Sequence, residues 1–204
     1  MIDKIKCKKK IGTDIHNYLI AVLRKLSEGW MPPKEITEEM YKDIQNNKDS
    51  YPDYLVGYVG FQLSYGGKWF GGYRRDKVGK RNYSLEAYNN TIKQLPNLKD
   101  TKFKCLDFRD LPLDKIKNYV IYCDIPYRGT TKYATENFPY EEFYDWVKRA
   151  SAYNTVLISE YSMPDEFDCI WQKDVKTLLD SNKDKNDKNN IRTEKLFTYK
   201  GENT

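Results

Sequence analysis

The sequence predicts an α/β fold with a parallel sheet. Residues 119–123 (Tyr-Val-Ile-Tyr-Cys) and 155–159 (Thr-Val-Leu-Ile-Ser) are apolar, β-branched and aromatic runs typical of strands buried in such a sheet. Between the two runs, Phe143, Trp146 and Val147 recur at helical spacing. A strand, a helix and a strand in succession indicate a crossover unit, whose two strands are parallel neighbours.

A second strand and helix are predicted near the N-terminus. The strand ends near Asp14, and the following helix is expected to stop at Gly29. Its apolar residues share one helical face: Leu19, Ile20, Leu23 and Leu26. A further short strand is predicted at residues 103–106, so strands and helices alternate on both sides of the middle of the chain.

Length and composition indicate one sizeable domain, or one domain that carries an insertion. The chain has 204 residues, of which 39% are hydrophobic and 32% are charged, as in a soluble globular protein. It has no apolar run long enough to span a bilayer and no apolar signal-peptide core. We therefore expect a cytoplasmic protein that does not contact membranes.

The cysteines and the histidine argue against several kinds of chemistry. Four cysteines are scattered without a Cys-x-x-Cys pair, and His16 is the only histidine. A zinc site or a disulfide framework is therefore not expected, and no metal is predicted. Chemistry in this chain is expected to depend on carboxylates, amides, aromatic rings and backbone groups.

Residues 30–98 differ in character from the segments on either side. They contain a polar, helix-like stretch at 38–46 and an aromatic, glycine-rich stretch at 54–73, of which 65–73 is predicted to be a loop or irregular hairpin. The net charge is only +5, but six of the fourteen residues between Lys68 and Arg81 are basic. We predict that 30–98 is an insertion into a domain formed by 1–29 and 99–204. The polar stretch 180–190 is expected to be a surface loop before a last strand at 196–199.

Three aspartates follow predicted strands: Asp14, Asp107 and Asp124. Ligands of open α/β sheets bind beyond the carboxyl ends of the strands, where an acid can accept hydrogen bonds from ribose hydroxyls or amino groups. Any one of these acids could instead cap the next helix or turn. The set of three favours a ligand site.

Residues 124–127 (Asp-Ile-Pro-Tyr) are the sharpest feature of the sequence. Pro126 has no backbone N–H and restricts Ile125 to extended geometry, so the loop is stiff. Tyr127 adds a flat aromatic face. Such a group suits methylation of an exocyclic amine, because acceptors hold the amino hydrogens while the ring stacks on the base. An ordinary turn after a buried strand is the alternative.

The longer segment 121–133 resembles the catalytic motif region of Dam-like DNA adenine N6-methyltransferases, especially phage-borne ones, in which the pattern is Asp-Pro-Pro-Tyr followed by Gly-Thr and Tyr. Residues 11–14 resemble the second motif of that family and residues 106–109 the third. Residues 159–161 and 171–173 resemble its late motifs. The resemblance covers nearly the whole chain, and its motifs occur in the expected order.

The resemblance implies a Rossmann-like methyltransferase sheet with S-adenosylmethionine as the methyl donor and a flipped adenine as the acceptor. Asp124 would engage the adenine amino group near the sulfonium, and Tyr127 would stack on the base. Isoleucine replaces the first proline of the family pattern, but a backbone carbonyl at that position serves the same purpose. The implied catalytic set is Asp124, Ile125, Pro126 and Tyr127.

The resemblance also implies a cofactor site. Asp14 would contact the ribose, while Asp107 and Phe108 lie in the motif placed beside the cofactor's adenine. Asp124 would complete this set near the sulfonium. The insertion resembles the family's target-recognition domain, whose partner is double-stranded DNA, bound by a monomer.

Candidate DNA-binding residues are the basic and aromatic side chains of the insertion: Lys68, Tyr73, Arg74, Arg75, Lys77, Lys80 and Arg81. Lysines and arginines contact phosphates, and arginine can also hydrogen-bond to base edges. A solvated charged loop is the alternative. The interleaved aromatic and glycine residues favour binding.

The family's first motif, a strand with a glycine-rich turn, precedes the second motif, and this chain begins too late to contain it. Two interpretations stay open: an adenine-specific DNA methyltransferase of phage, restriction–modification or housekeeping type, or a catalytically inactive DNA-binding remnant. A third, methylation of a protein amide or an RNA base, is disfavoured because related motifs for those substrates begin with asparagine rather than Asp124.

Overall fold

The computed structural model describes residues 2–76, 78–128, 138–176 and 191–201, and shows a mixed α/β fold. The chain forms two compact units, Met1–Asp107 and Phe108–Thr204. The predicted insertion at 30–98 is not a compact unit by itself, because it belongs to the first unit together with the N-terminal strand and helix. No helix in the described ranges has both the length and the apolar composition to cross a membrane.

The described residues of the first unit form two strands and four α-helices: β1 (Lys10–Asp14), α1 (Asn17–Ser27), α2 (Glu38–Asn46), α3 (Asp53–Gln62), α4 (Tyr83–Leu98) and β2 (Thr101–Cys105). β1 and β2 are parallel neighbours, with Asp14 opposite Cys105. The predicted strands near 14 and at 103–106, the helix after Asp14 and the helix at 38–46 are confirmed. Gly29 adopts φ 91°, as expected of a glycine that follows a helix.

Helix α3 was not predicted, because it lacks the one-sided apolar pattern of a surface helix. Its residues Val56–Gly60 are all buried, so apolar side chains occur on every face. Gly57 lies against the backbone of α1, where a Cβ would collide with the Tyr18 carbonyl. Gly57 therefore permits close packing of two helices.

The glycine-rich segment after α3 is an irregular hairpin, as predicted. Ser64 and Tyr73 form an isolated antiparallel bridge, and the Tyr65 N–H donates to the Gly72 carbonyl at 2.8 Å. Gly66 adopts φ 64°, a left-handed conformation that favours glycine. The next helix, α4, was also not predicted, since its buried residues Ser84, Ala87, Thr91 and Leu98 include two polar ones and make no clear apolar stripe.

The second unit contains β3 (Val120–Asp124), α5 (Tyr140–Ser151), β4 (Thr155–Glu160), β5 (Phe167–Lys176) and β6 (Ile191–Tyr199). The strand order is β3-β4-β6-β5; β3 and β4 are parallel, and the other pairs are antiparallel. The predicted crossover unit is confirmed as β3, α5 and β4. The sheet is mixed rather than wholly parallel, because β6 is antiparallel to β4 and the unpredicted β5 forms a long antiparallel pair with β6. The predicted loop at 180–190 lies outside the described residues.

The core of the second unit is formed by one face of α5 on the sheet. Phe143, Trp146 and Val147 of α5 are buried together with Val156 and Ile158 of β4. β3 was expected to be buried in the sheet, but it is an edge strand, and Val120 is 70% exposed. The carboxyl ends of β3 and β4 point the same way, which determines where the following loops meet.

Candidate functional site

Asp124 is the last residue of β3 and lies opposite Ser159 of β4. Its carboxyl is reachable from solvent, yet desolvation by the surrounding protein raises its pKa, and the carboxylate of Glu194 raises it further. The Asp124 carboxylate is thus more basic than that of an ordinary aspartate. It can accept a hydrogen bond from an amino group and take up a proton more readily.

The two residues after Asp124 are held in place by the core. The Ile125 side chain is only 8% exposed and belongs to the hydrophobic cluster of the second unit. The Pro126 carbonyl accepts a hydrogen bond of 2.7 Å from the Tyr140 hydroxyl at the start of α5. Together with the fixed φ of proline, these contacts stiffen the loop, in agreement with the expectation from the sequence.

Tyr127 is held at both its hydroxyl and its ring. The hydroxyl donates to Oε2 of Glu194 at 3.2 Å. Since that uses its only proton, the Ser159 hydroxyl donates to the Tyr127 oxygen. The rings of Tyr127 and Tyr161 pack edge-to-face, with their centroids 4.6 Å apart. Burial, and then the nearby carboxylates, raise the pKa of Tyr127, so it is a neutral phenol at physiological pH.

Glu160 is a residue of this site that sequence reasoning missed. It is 1% exposed, and its carboxylate accepts the backbone N–H groups of Arg128 at 3.0 Å and Tyr161 at 2.7 Å. Burial raises the pKa of Glu160, and the two N–H groups oppose that rise. The available signal was a glutamate at the end of a buried strand, where an unpaired acid would be costly.

In the first unit, Asp14 ends β1, and Asp107 follows the end of β2 by two residues. Because the two strands are parallel and in register, both aspartates lie at the same edge of this two-stranded sheet. Oδ1 of Asp14 accepts the His16 N–H at 2.7 Å. His16 then caps α1 by accepting the Leu19 N–H, and burial lowers its pKa. Asp14 therefore has a turn-forming role, with Oδ2 left as a further acceptor.

Phe108 begins the second unit, in a short 3-10 helix at Phe108–Asp110. Its ring packs edge-on against Phe143 and Trp146, with centroids 5.4 and 5.7 Å away. Much of the ring thus contributes to the core of the unit.

Two arginines of the predicted DNA-binding segment are paired with carboxylates. Arg75 binds both oxygens of Glu38, and Arg81 binds both oxygens of Glu86 through Nε and Nη2 at 2.8 and 2.7 Å. Hydrogen bonds from Arg75 and Lys42 lower the pKa of Glu38 to about 2. These pairs partly neutralise the positive charge of the segment.

The remaining candidates differ in their surroundings. The Arg74 guanidinium lies 4.4 Å from the ring centroid of Tyr83, and no described carboxylate forms an ion pair with it. Lys68 and Lys80 are exposed, and Lys77 lies outside the described residues. Tyr73 donates its hydroxyl to the Ile36 carbonyl at 2.6 Å, which makes it part of the scaffold.

A cavity of about 560 Å³ lies beside these residues in the first unit. Its lining includes Arg74, Arg75, Arg81, Tyr73 and Tyr83. The structure therefore brings together the arginines and the tyrosine that the sequence suggested, around one open cavity.

Comparison of the chain with protein families and with curated proteins gave no match. Within the described ranges, no group of three or more His, Cys, Asp and Glu side chains is arranged as a metal site.

Proposed function

We propose that this chain is an S-adenosylmethionine-dependent methyltransferase that transfers a methyl group to N6 of adenine in double-stranded DNA. The single observation that carries the proposal is the stiff loop at residues 124–127 at the carboxyl end of β3. In it, an aspartate of raised pKa is followed by a restrained proline and a tyrosine held by its hydroxyl. The mixed sheet is compatible with a Rossmann-like methyltransferase.

The loop can bind and orient an exocyclic amine. The Asp124 carboxylate and the Ile125 carbonyl are acceptors for the two amino hydrogens, which directs the nitrogen lone pair away from the loop. Transfer of the methyl group would break its bond to the sulfonium sulfur, leave a neutral thioether and make the amine cationic. The Asp124 carboxylate, which is reachable from solvent, would take up the proton that the amine releases. Stacking of Tyr127 on the base is the role that the resemblance implies.

The residues present fit the cofactor in part. S-adenosylmethionine would supply an electrophilic methyl group next to a positive sulfur. The Asp124 carboxylate, in the second unit, suits that charge. The roles of Asp14 and Asp107 toward the nucleoside stay predictions from the sequence.

Arg74 is the strongest candidate for contact with DNA, since Arg75 and Arg81 are already paired. The exposed lysines Lys68 and Lys80 add phosphate contacts. The residues 30–98 would then act as the DNA-recognition part of the protein, as the resemblance implies.

Methyl transfer from labelled S-adenosylmethionine to an adenine-containing duplex tests the proposal, with N6-methyladenine identified by mass spectrometry of the nucleosides. We expect activity in the wild type and none in Asp124→Ala. Asp145→Ala is the matched control, because its side chain is an exposed carboxylate (75%) on α5. No product in the wild type, with the protein folded, would refute the proposal.

A non-catalytic DNA-binding protein is the second candidate. It is favoured by the engagement of two predicted cofactor residues within the protein, Asp14 in a turn and Phe108 in the core. Salt-sensitive binding of duplex without any binding of S-adenosylmethionine would support it. Preference for RNA over duplex DNA in competition would instead favour the RNA-modifying alternative.

A further inference from the structure

The three residues at the end of β4 and just after it each contact the loop that follows β3. Ser159 donates its hydroxyl hydrogen to Tyr127, and Tyr161 meets the ring of the same tyrosine. Glu160 lies between them: one carboxylate oxygen accepts the Arg128 N–H and the other accepts the Tyr161 N–H. The carboxylate thus bridges two chain segments that leave neighbouring strands.

We propose that Glu160 is a positioning residue, which holds the loop after β3 in shape by accepting the backbone N–H groups of Arg128 and Tyr161 at the same time. Its importance for methyl transfer rests on the proposed function; its role in ordering the loop does not. Glu160 is not itself a catalytic group, because its carboxylate is buried and binds these two backbone donors.

The geometry explains why a carboxylate is needed at this position. Two N–H donors face two oxygens, and an ionised carboxylate is the side-chain group that accepts at both without offering a hydrogen. Glutamine has one acceptor oxygen, so its amide hydrogens would face one of the two N–H groups. Replacement by glutamine therefore keeps the volume of the side chain but breaks at least one contact.

The loop is also attached to α5 through the Arg128 side chain and the Pro126 carbonyl. Loss of a backbone contact and loss of a side-chain contact can therefore be tested separately. The Arg128 guanidinium lies 4.6 Å from the Tyr140 ring centroid and 3.4 Å from Glu141, while the Tyr140 hydroxyl binds the Pro126 carbonyl. The Glu141 side chain is 86% exposed, and it contacts the guanidinium of Arg128 rather than its backbone N–H. Glu141→Gln is therefore a closely matched control for Glu160→Gln.

We refer to the two contacts of Glu160 with the Arg128 and Tyr161 N–H groups as the clamp. Hydrogen exchange of backbone amides, followed by NMR on the protein without cofactor or DNA, tests the clamp directly. We expect Glu160→Gln to speed exchange of the Arg128 amide about tenfold or more, as for loss of a hydrogen bond to a charged group. Glu141→Gln should leave it within about twofold. Unchanged exchange in folded Glu160→Gln would overturn the proposal.

The wild type supplies a second measurement in case Glu160→Gln does not fold. The Val78 N–H also donates to a carboxylate, that of Asp76, but in an exposed turn. The Arg128 amide should exchange at least about tenfold more slowly than the Val78 amide, because its acceptor is buried. Equal exchange rates would show that Glu160 does not order the loop.

Measurement of kcat and KM tests whether the clamp is needed for catalysis. In Glu160→Gln we expect kcat to fall about 100-fold, with KM for S-adenosylmethionine within about twofold, since a misplaced loop affects the reacting geometry more than cofactor binding. An altered exchange rate with no activity in the wild type would leave the clamp established and refute the proposed function instead. Faster exchange with unchanged kcat would show that the positioning does not serve catalysis.

Discussion

At the residue scale, neighbouring side chains of the same type have different roles because their partners differ. Arg74 and Arg75 are adjacent in the sequence, yet Arg75 binds Glu38 through two nitrogens and Arg74 lies over the ring of Tyr83. An arginine already held by a carboxylate must give up that contact to bind phosphate, whereas an arginine on an aromatic ring retains its donors. The sequence could not separate the two.

Arg74→Ala is therefore expected to weaken binding to duplex DNA about tenfold, and Arg75→Ala by no more than about twofold. Arg75→Ala is a fair control because Glu38 keeps Lys42 at 2.8 Å as a counter-charge. Fluorescence anisotropy with a labelled duplex at fixed salt measures both. Equal losses would mean that the segment acts as diffuse charge rather than through Arg74.

Asp124→Asn should abolish methyl transfer and also change the dependence of stability on pH. Since the folded protein raises the pKa of Asp124, the stability that this group contributes is present at low pH and is lost as pH rises through the raised pKa. Asparagine stays neutral throughout. The variant should therefore unfold at a higher temperature than the wild type at pH 7, and the difference should shrink toward pH 4.

Thermal unfolding at the two pH values measures this effect. Asp145→Asn, which removes a carboxylate from the surface of α5, is the control for loss of a charge in open solvent. An Asp124→Asn variant less stable than the wild type at pH 7 would show that the carboxylate is stabilised, and not strained, by its surroundings.

At the element scale, helices with an apolar stripe were predictable and a helix buried on all sides was not. α1 and α5 have one buried face, so their apolar residues repeat at helical spacing. α3 is buried all round and contains two glycines, so its pattern has no preferred face. The close approach that requires Gly57 exists only once α1 and α3 pack together.

Gly57→Ala is expected to lower the free energy of unfolding by about 3 kcal/mol, because the added methyl group collides with backbone in a packed interface. Gly66→Ala is the control: its φ of 64° is unfavourable for alanine, but nothing lies within 4 Å, so about 1 kcal/mol is expected. Urea denaturation measures both. A similar, small loss in the two variants would contradict the packing assigned to α1 and α3.

At the scale of the whole molecule, a net charge of +5 is a weak indication of nucleic-acid binding, because many proteins have as much. Ion pairs neutralise Arg75 and Arg81. The described cations of the predicted interface that lack a carboxylate partner are Lys68, Arg74 and Lys80. DNA binding by few phosphate contacts should depend on salt less steeply than the number of basic residues suggests.

If each of these three side chains contacts one phosphate, raising salt from about 50 to about 200 mM should weaken duplex binding about 40-fold. Binding of S-adenosylmethionine, which has no such contacts, should change little. Titration calorimetry at the two salt concentrations separates the ligands. A loss of about 500-fold for DNA would mean that the two paired arginines also exchange their carboxylates for phosphates.

The fold and the site were predictable to the extent that their determinants are local. The strand ending at Asp14, the crossover unit from β3 to β4 and the stiffness around Pro126 each follow from residues close together in the chain. The order of the strands was less accessible. β5 has no simple alternation, and the antiparallel pairing of β6 with β4 and β5 makes the sheet mixed.

The α/β class, the position of Asp124 at the end of a strand and the basic character of the segment from Lys68 to Arg81 were all predictable from local sequence. The partners of these residues became known only from the folded chain. Tyr127 and Glu194 are 67 positions apart, Arg128 and Glu160 are 32 apart, and Arg75 and Glu38 are 37 apart. Local spacing carries the propensity for a strand, helix or turn, whereas contacts at such separations form only when packed elements bring them together.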